Sequence, residues 1–286
     1  EAAGVPMKGG ARWPAVIRLL VLVTVLGAGG PGALALAEGP GAGESVVSRA
    51  GLPAGFSESV VFGGLAVPTA VRFAPDGRVF IAEKSGIIKS FAGLDAPTPT
   101  IVADRRDQVM DQYDRGLLGI ALHPNFPATP ELYALYTHDA PIGGTAPVWG
   151  DACADSSAST TPGCVVSGRL SRFRLGGAGV AGAEEILVEA WCQQFPSHSI
   201  GDLAFGPDGA LYVSAGDGAG YSGVDVGHLG VPATPCGDPF DPARGVQEGG
   251  ALRAQDLRTD GDPLGYEGTI LRIDPANPSD QRIVAH

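Results

Sequence analysis

The sequence predicts an all-β chain built from repeated four-stranded antiparallel units, the blades of a β-propeller. Three observations predict it. The 286 residues include 44 glycines and 24 prolines with 44% hydrophobic content, a composition suited to short apolar strands joined by tight turns. No long amphipathic helical pattern follows residue 40. A strand-turn-strand pattern recurs three times, each time with a further strand after it.

The first copy is "VRFAPDGRVFIAE" (71–83), followed by "GIIKSF" (86–91). In its turn, Pro sets φ, Asp can bond the backbone and Gly accepts positive φ. The second copy, "IALHPNFPATPELYALYT" (120–137), replaces that turn with a longer His-Pro connection and is followed by "GRLSRF" (168–173). The third is "LAFGPDGALYVSA" (203–215), with "GTILRI" (268–273) after it. The three trailing strands share one spelling: Gly, any residue, aliphatic, any residue, Ser or Arg, then Phe or Ile. Each is long enough for one strand with alternating faces. Gly86, Gly168 and Gly268 lie farther apart than the ~40–50 residues of a bare blade. The extra length falls in polar, Gly-rich insertions at 138–167 and 216–265, and insertions on a rigid scaffold are where sites are built. A β-sandwich with decorated loops is the alternative architecture, and the triple repeat argues against it. Three blades do not close a ring and would leave edge strands unpaired. Together with the fresh apolar run "DQRIVAH" (280–286), this predicts the N-terminal part of a larger propeller.

The N-terminal region predicts export. Lys8, Arg12 and Arg18 form a basic stretch, "LLVLVTVL" (19–26) a short apolar core, and "ALALA" (33–37) a small-residue cleavage pattern before Glu38. Residues 1–6 precede Met7 and read as an upstream extension. The apolar run is shorter than the ~20 residues of a membrane span, although a signal anchor is the alternative. The expected organisation is an extension and signal peptide over 1–37, a linker over 38–51 and the propeller over 52–286, in a secreted or periplasmic protein with no stable span once the signal is removed.

Four cysteines suit export and allow three pairings. The expected bridges are Cys153 to Cys164, around a polar loop, and Cys192 to Cys236. Zinc is the alternative, but no Cys-x-x-Cys pair is present. The net charge of −12 repels phosphate backbones, so no nucleic-acid partner is expected.

Three segments, "RGLLGIALHPNF" (115–126), "SHSIGDLAFGPDGALYVSAGDG" (197–218) and "GGALRAQDLRTDGDPLGYEGTILRIDP" (249–275), resemble the soluble glucose/sorbosone dehydrogenase family. The resemblance runs from about Leu52 to the last residue. It implies a six-bladed β-propeller, of which about three blades are expected here. It also implies oxidation of aldose sugars to lactones with pyrroloquinoline quinone (PQQ), calcium assistance, a small sugar substrate and a separate electron acceptor. His198 matches the family's general base and Asp217 the carboxylate that supports it. The chemistry fits the residue types: histidine titrates near neutrality, and a neighbouring carboxylate fixes its tautomer and offsets the imidazolium. An antiparallel hairpin brings the start of one strand and the end of the next to the same side, which would allow the contact.

The resemblance has departures. A substrate-contacting glutamine of the family falls where this chain has Asp114 and Arg115, the two expected substrate-binding residues. An arginine of the family falls at Asp202. The family's Arg-Asn pair, its cofactor-clamping lysine and arginines, and its calcium loop are expected beyond His286. Among the remaining candidates, His123 reads as a strand-end residue and Trp149 and Trp191 as packing beside the cysteines, with sugar stacking the alternative. "DLRTDGDP" (256–263) reads as a turn network, with calcium binding the alternative. The functional alternative to the enzyme is a secreted propeller that binds a protein or carbohydrate without catalysis. A calcium-dependent lactonase is a weaker third reading.

Overall fold

The computed structural model describes residues 52–53, 55–153, 163–218, 236, 240–241, 246–247 and 265–285. All lie in one compact unit, Val46–His286. The expected extension, signal peptide and linker over 1–51 and the segment 256–263 lie outside the described residues.

The described chain is all-β. Strands β1 (Pro68–Phe73), β2 (Val79–Glu83), β3 (Ile87–Phe91) and β4 (Thr100–Asp104) form a first sheet in chain order. A second holds β5 (Leu117–Leu122), β6 (Glu131–His138), β7 (Val166–Leu175) and β8 (Ala181–Gln193). A third holds β9 (Ile200–Phe205), β10 (Leu211–Ala215), β13 (Ile270–Asp274) and β14 (Asn277–Ala285). Between β10 and β13, β11 (Phe240–Asp241) and β12 (Val246–Gln247) make a two-stranded ribbon. Every pairing within these sheets is antiparallel. These are the three expected blades, each hairpin followed by its expected third strand and each closed by a fourth. The long insertions fall where the sequence placed them, after β6 and after β10. The turn glycines Gly77 and Gly209 take the positive φ expected of them, 91° and 78°.

The run "DQRIVAH" does not open a new unit. Residues 277–285 pair with β13 as the outer strand of the third sheet. Its positions Pro278, Gln281 and Ile283 are half-buried and the rest exposed, as suits an outer strand.

The sheets pack face to face. Phe80, Ile88 and Val102 of the first sheet share a core with Ile120, Leu132, Ala134 and Phe173 of the second. The opposite face of the second sheet contributes Tyr133, Leu135, Leu170 and Val188 to a core with Leu203, Leu211, Val213, Leu271 and Ile273 of the third. Each such Val, Leu, Ile or Phe side chain contributes ~1.5–3 kcal/mol by leaving water. The second sheet is therefore covered on both faces, and every residue of β6 is buried. On the first sheet's other face, Phe62 and Leu65 cover Val79, Ile81 and Phe91, with Phe62 stacked on Phe91 at 3.9 Å between ring centres. The first strands β1, β5 and β9 lie side by side in that order. Arg72 of β1 reaches past β5 to Asp202 of β9 at 2.6 Å. First strands innermost, with sheets stacked around them, are the blade arrangement of a propeller.

Both expected disulfides form, Cys153–Cys164 and Cys192–Cys236. The first sits in a small cluster with Met110, Val166 and Trp149. Among the described residues, no helix is long and apolar enough to cross a membrane.

Candidate active site

The site lies where the first strands begin and the second strands end. Two short connections meet there: 111–116 before β5, and 194–199 before β9. They are joined by a backbone bond from Asp114 N to Pro196 O at 3.1 Å. Tyr113, Asp114, Pro196, Ser197 and His198 line a shallow depression between them.

His198 has φ of 53°, a left-handed conformation that costs a non-glycine residue ~1–3 kcal/mol unless its surroundings hold it. They hold it on both sides. Its N–H donates to Asp114 Oδ2 at 3.2 Å, and its carbonyl accepts from Gly218 N at 2.9 Å. The β9–β10 hairpin supplies the frame. Gly216 N donates to Ser199 O at 2.7 Å, and Gly216 O accepts from Gly268 N, just before β13, at 2.9 Å. Gly216 allows this closeness, because a Cβ there would stand 2.2 Å from the His198 carbonyl oxygen.

The hairpin brings Asp217 to the ring of His198. Nδ1 lies 2.9 Å from Asp217 Oδ1, across a sequence separation of 19. An ionised carboxylate only accepts hydrogen bonds, so Nδ1 carries the proton and Nε2 keeps its lone pair. The imidazole is 49% exposed and the Asp217 side chain 26%, so the ring is accessible while the orienting carboxylate is partly shielded. This arrangement can accept a proton from a hydroxyl placed at Nε2 and balance the resulting charge.

The two expected substrate contacts separate. Asp114 is exposed on the rim. Arg115 is a correction: its side chain is fully buried. One guanidinium nitrogen donates to the carbonyls of Cys164, Gln193 and Phe195 at 2.8, 3.0 and 3.1 Å. Burial pulls its pKa down to about 9, partly countered by the charge of Asp139. Arg115 thus ties the first disulfide loop and the end of β8 to the connection that carries Asp114, and does not reach the depression. Sequence position alone gave no sign of which way it turns.

Other candidates resolve as packing. His123 meets Phe205, the last residue of β9, edge-on at 5.8 Å, which puts it at the opposite end of the strands from His198. Its Nδ1 accepts from Asn125 N at 3.1 Å. Trp191 is buried, its indole donating to Tyr266 O at 3.0 Å. Trp149 donates to Val165 O at 3.0 Å beside the first disulfide. Asp202 pairs with Arg72. The exposed aromatic on the rim is Tyr113, which the sequence reading passed over because it lies just outside the matching motif.

The depression presents carboxylate, hydroxyl, phenol and imidazole, with no cation among its lining residues. A quinone bearing three carboxylates needs cationic partners, so these residues fit a proton-accepting role and do not by themselves fit PQQ. Among the described residues, no group of three or more His, Cys, Asp or Glu stands ready to hold a metal ion.

Comparison with known proteins bears on the same segment. The sequence model of the Glucose / Sorbosone dehydrogenase family matches residues 65–225. The mouse (Mus musculus) Hedgehog-interacting protein is 30% identical over 164 residues, covering 55% of this chain and 22% of that protein. Among solved structures, an oxidoreductase (glucose dehydrogenase) from Thermus thermophilus is 28% identical, covering 76% of this chain and 45% of the other, with a TM-score of 0.47. The PQQ-bound aldose sugar dehydrogenase from Streptomyces coelicolor is 19% identical, covering 75% and 46%, with a TM-score of 0.46. The chain spans less than half the length of these structures and about a fifth of the mouse protein. The family match spans more than half of the chain and takes in both His198 and Asp217, and on it the chain belongs to the glucose/sorbosone dehydrogenase family.

Proposed function

We propose that this protein oxidises aldose sugars at the anomeric carbon to lactones, with PQQ as its cofactor and His198 as general base. The observation that carries the reading is the His198–Asp217 pair, 2.9 Å apart, with the half-exposed His198 lining a shallow depression inside the family-matched segment. A sugar bound there would give its anomeric hydroxyl proton to Nε2, and Asp217 would offset the imidazolium. The quinone would supply the hydride acceptor, and His198 the acceptor for the proton. Tyr113 stands exposed at the mouth, where its aromatic face suits a sugar ring. The basic-apolar-small pattern of residues 1–37 supports export to the periplasm or beyond, and turnover requires a separate electron acceptor.

A second reading has its own support. The mouse relative's name states an interaction with Hedgehog, and a propeller of this kind can serve as a binding surface without chemistry. The full-length protein, purified and reconstituted with PQQ and calcium, separates the two in an assay of aldose-dependent dye reduction. The dehydrogenase reading predicts reduction that needs both the sugar and the quinone. Bound quinone with no turnover on any aldose would favour the binding surface.

A further inference from the structure

We infer that Asp114 is a positioning residue that acts through the main chain of His198. The inference rests on the dehydrogenase reading for its consequence, and on geometry alone for the contact. His198 sits at φ 53°, where a non-glycine backbone stays only if its polar groups are held. Its carbonyl is held from within its own hairpin, by Gly218 N at 2.9 Å. Its N–H is held from a different sheet's connection, by Asp114 Oδ2 at 3.2 Å, 84 residues away in sequence. Asp114 is itself anchored to the histidine's connection by its own N–H to Pro196 O at 3.1 Å. The neighbouring Arg115 is locked in place by its three carbonyl acceptors. The carboxylate is thus delivered by a fixed segment of the second sheet to a strained residue of the third. Without it, the left-handed turn at His198 has one anchor fewer, the ring swings about its backbone, and Nε2 leaves the line that Asp217 sets. Misplacement by ~1 Å costs on the order of 10²-fold in rate. A family position expected to touch the sugar therefore serves here to place the base.

The test compares Asp114→Ala, Asp114→Asn, His198→Ala and the double variant His198→Ala/Asp114→Ala in the full-length, PQQ-reconstituted protein. It also follows exchange of the His198 amide proton. Asp114→Ala is expected to lower kcat toward ~10²-fold with KM little changed, and to speed exchange of the His198 amide. Asp114→Asn keeps an oxygen acceptor and should restore most of both. The double variant should be no slower than His198→Ala alone, because positioning has no value once the base is gone. A loss that appears in KM with kcat preserved would assign Asp114 to the sugar and overturn the inference. So would an unchanged amide exchange rate, an Asn variant as slow as Ala, or losses that multiply in the double variant. If His198→Ala is as fast as the parent, the dehydrogenase role of His198 falls instead, and the amide measurement still decides the contact.

Discussion

At His198, backbone and ring answer to different partners. Asp114 and Gly218 hold the main chain, and Asp217 holds the imidazole. Removing charge from Asp217 while keeping its shape separates orientation from electrostatics. Asp217→Asn is expected to slow turnover by less than loss of the histidine itself and to displace the pH–rate profile, because the imidazolium formed on proton transfer loses its counter-charge. Steady-state rates across pH check this, and a variant with parental rates and profile would remove Asp217 from the account. The contact between His198 and Asp217 was legible in the sequence, through a matching motif and a separation compatible with one hairpin. The adjacent pair Asp114 and Arg115 was not. One turns to the rim and the other into the core, and that choice depends on carbonyls of Cys164, Gln193 and Phe195, which come from distant stretches of chain. The left-handed φ of His198 left no local sign either, since no glycine or asparagine marks it.

The β9–β10 hairpin turns residue identity into site geometry. Its closest approach is at Gly216, where an added Cβ would meet the His198 carbonyl oxygen at 2.2 Å and the Ser199 carbonyl oxygen at 2.6 Å. Both are backbone atoms that cannot rotate away. Gly216→Ala should therefore cost ~1–3 kcal/mol or more through overpacking, lowering the melting temperature and, in whatever protein remains folded, displacing His198 from Asp217. A variant with parental stability and parental turnover would show that the hairpin tolerates a wider gap than described. Inner strands were readable because Pro-Asp-Gly turns and dense apolar runs announce them. Outer strands were not. Three of the five residues of β4 are exposed, and along β14 even the best covered positions are only half-buried, so neither carries a strong apolar pattern. Fourth strands of this kind are recruited by pairing to a neighbour already in place, a tertiary effect that local pattern does not encode.

At the scale of the whole molecule, three sheets stack through two continuous cores, and the second sheet is covered on both faces. The first strands gather on one side, with the Arg72–Asp202 pair spanning from β1 to β9. The ends of those strands meet the hairpin ends that carry Asp114, His198 and Asp217. The stacking thus sets Asp114, from the second sheet's connection, beside His198 of the third at one depression, which no single hairpin could do. Disulfide Cys153–Cys164 braces the same end, because Arg115 binds the Cys164 carbonyl. The central claim is that this depression delivers a proton acceptor to an aldose, and turnover of His198→Ala in the full-length, PQQ-reconstituted protein tests it most directly. The account predicts that dye reduction with aldoses falls by ~10²–10⁴-fold, the usual cost of losing a general base, while quinone binding and melting temperature stay close to those of the parent. Aldose-dependent reduction at the parental rate in a folded, quinone-loaded His198→Ala protein would contradict it.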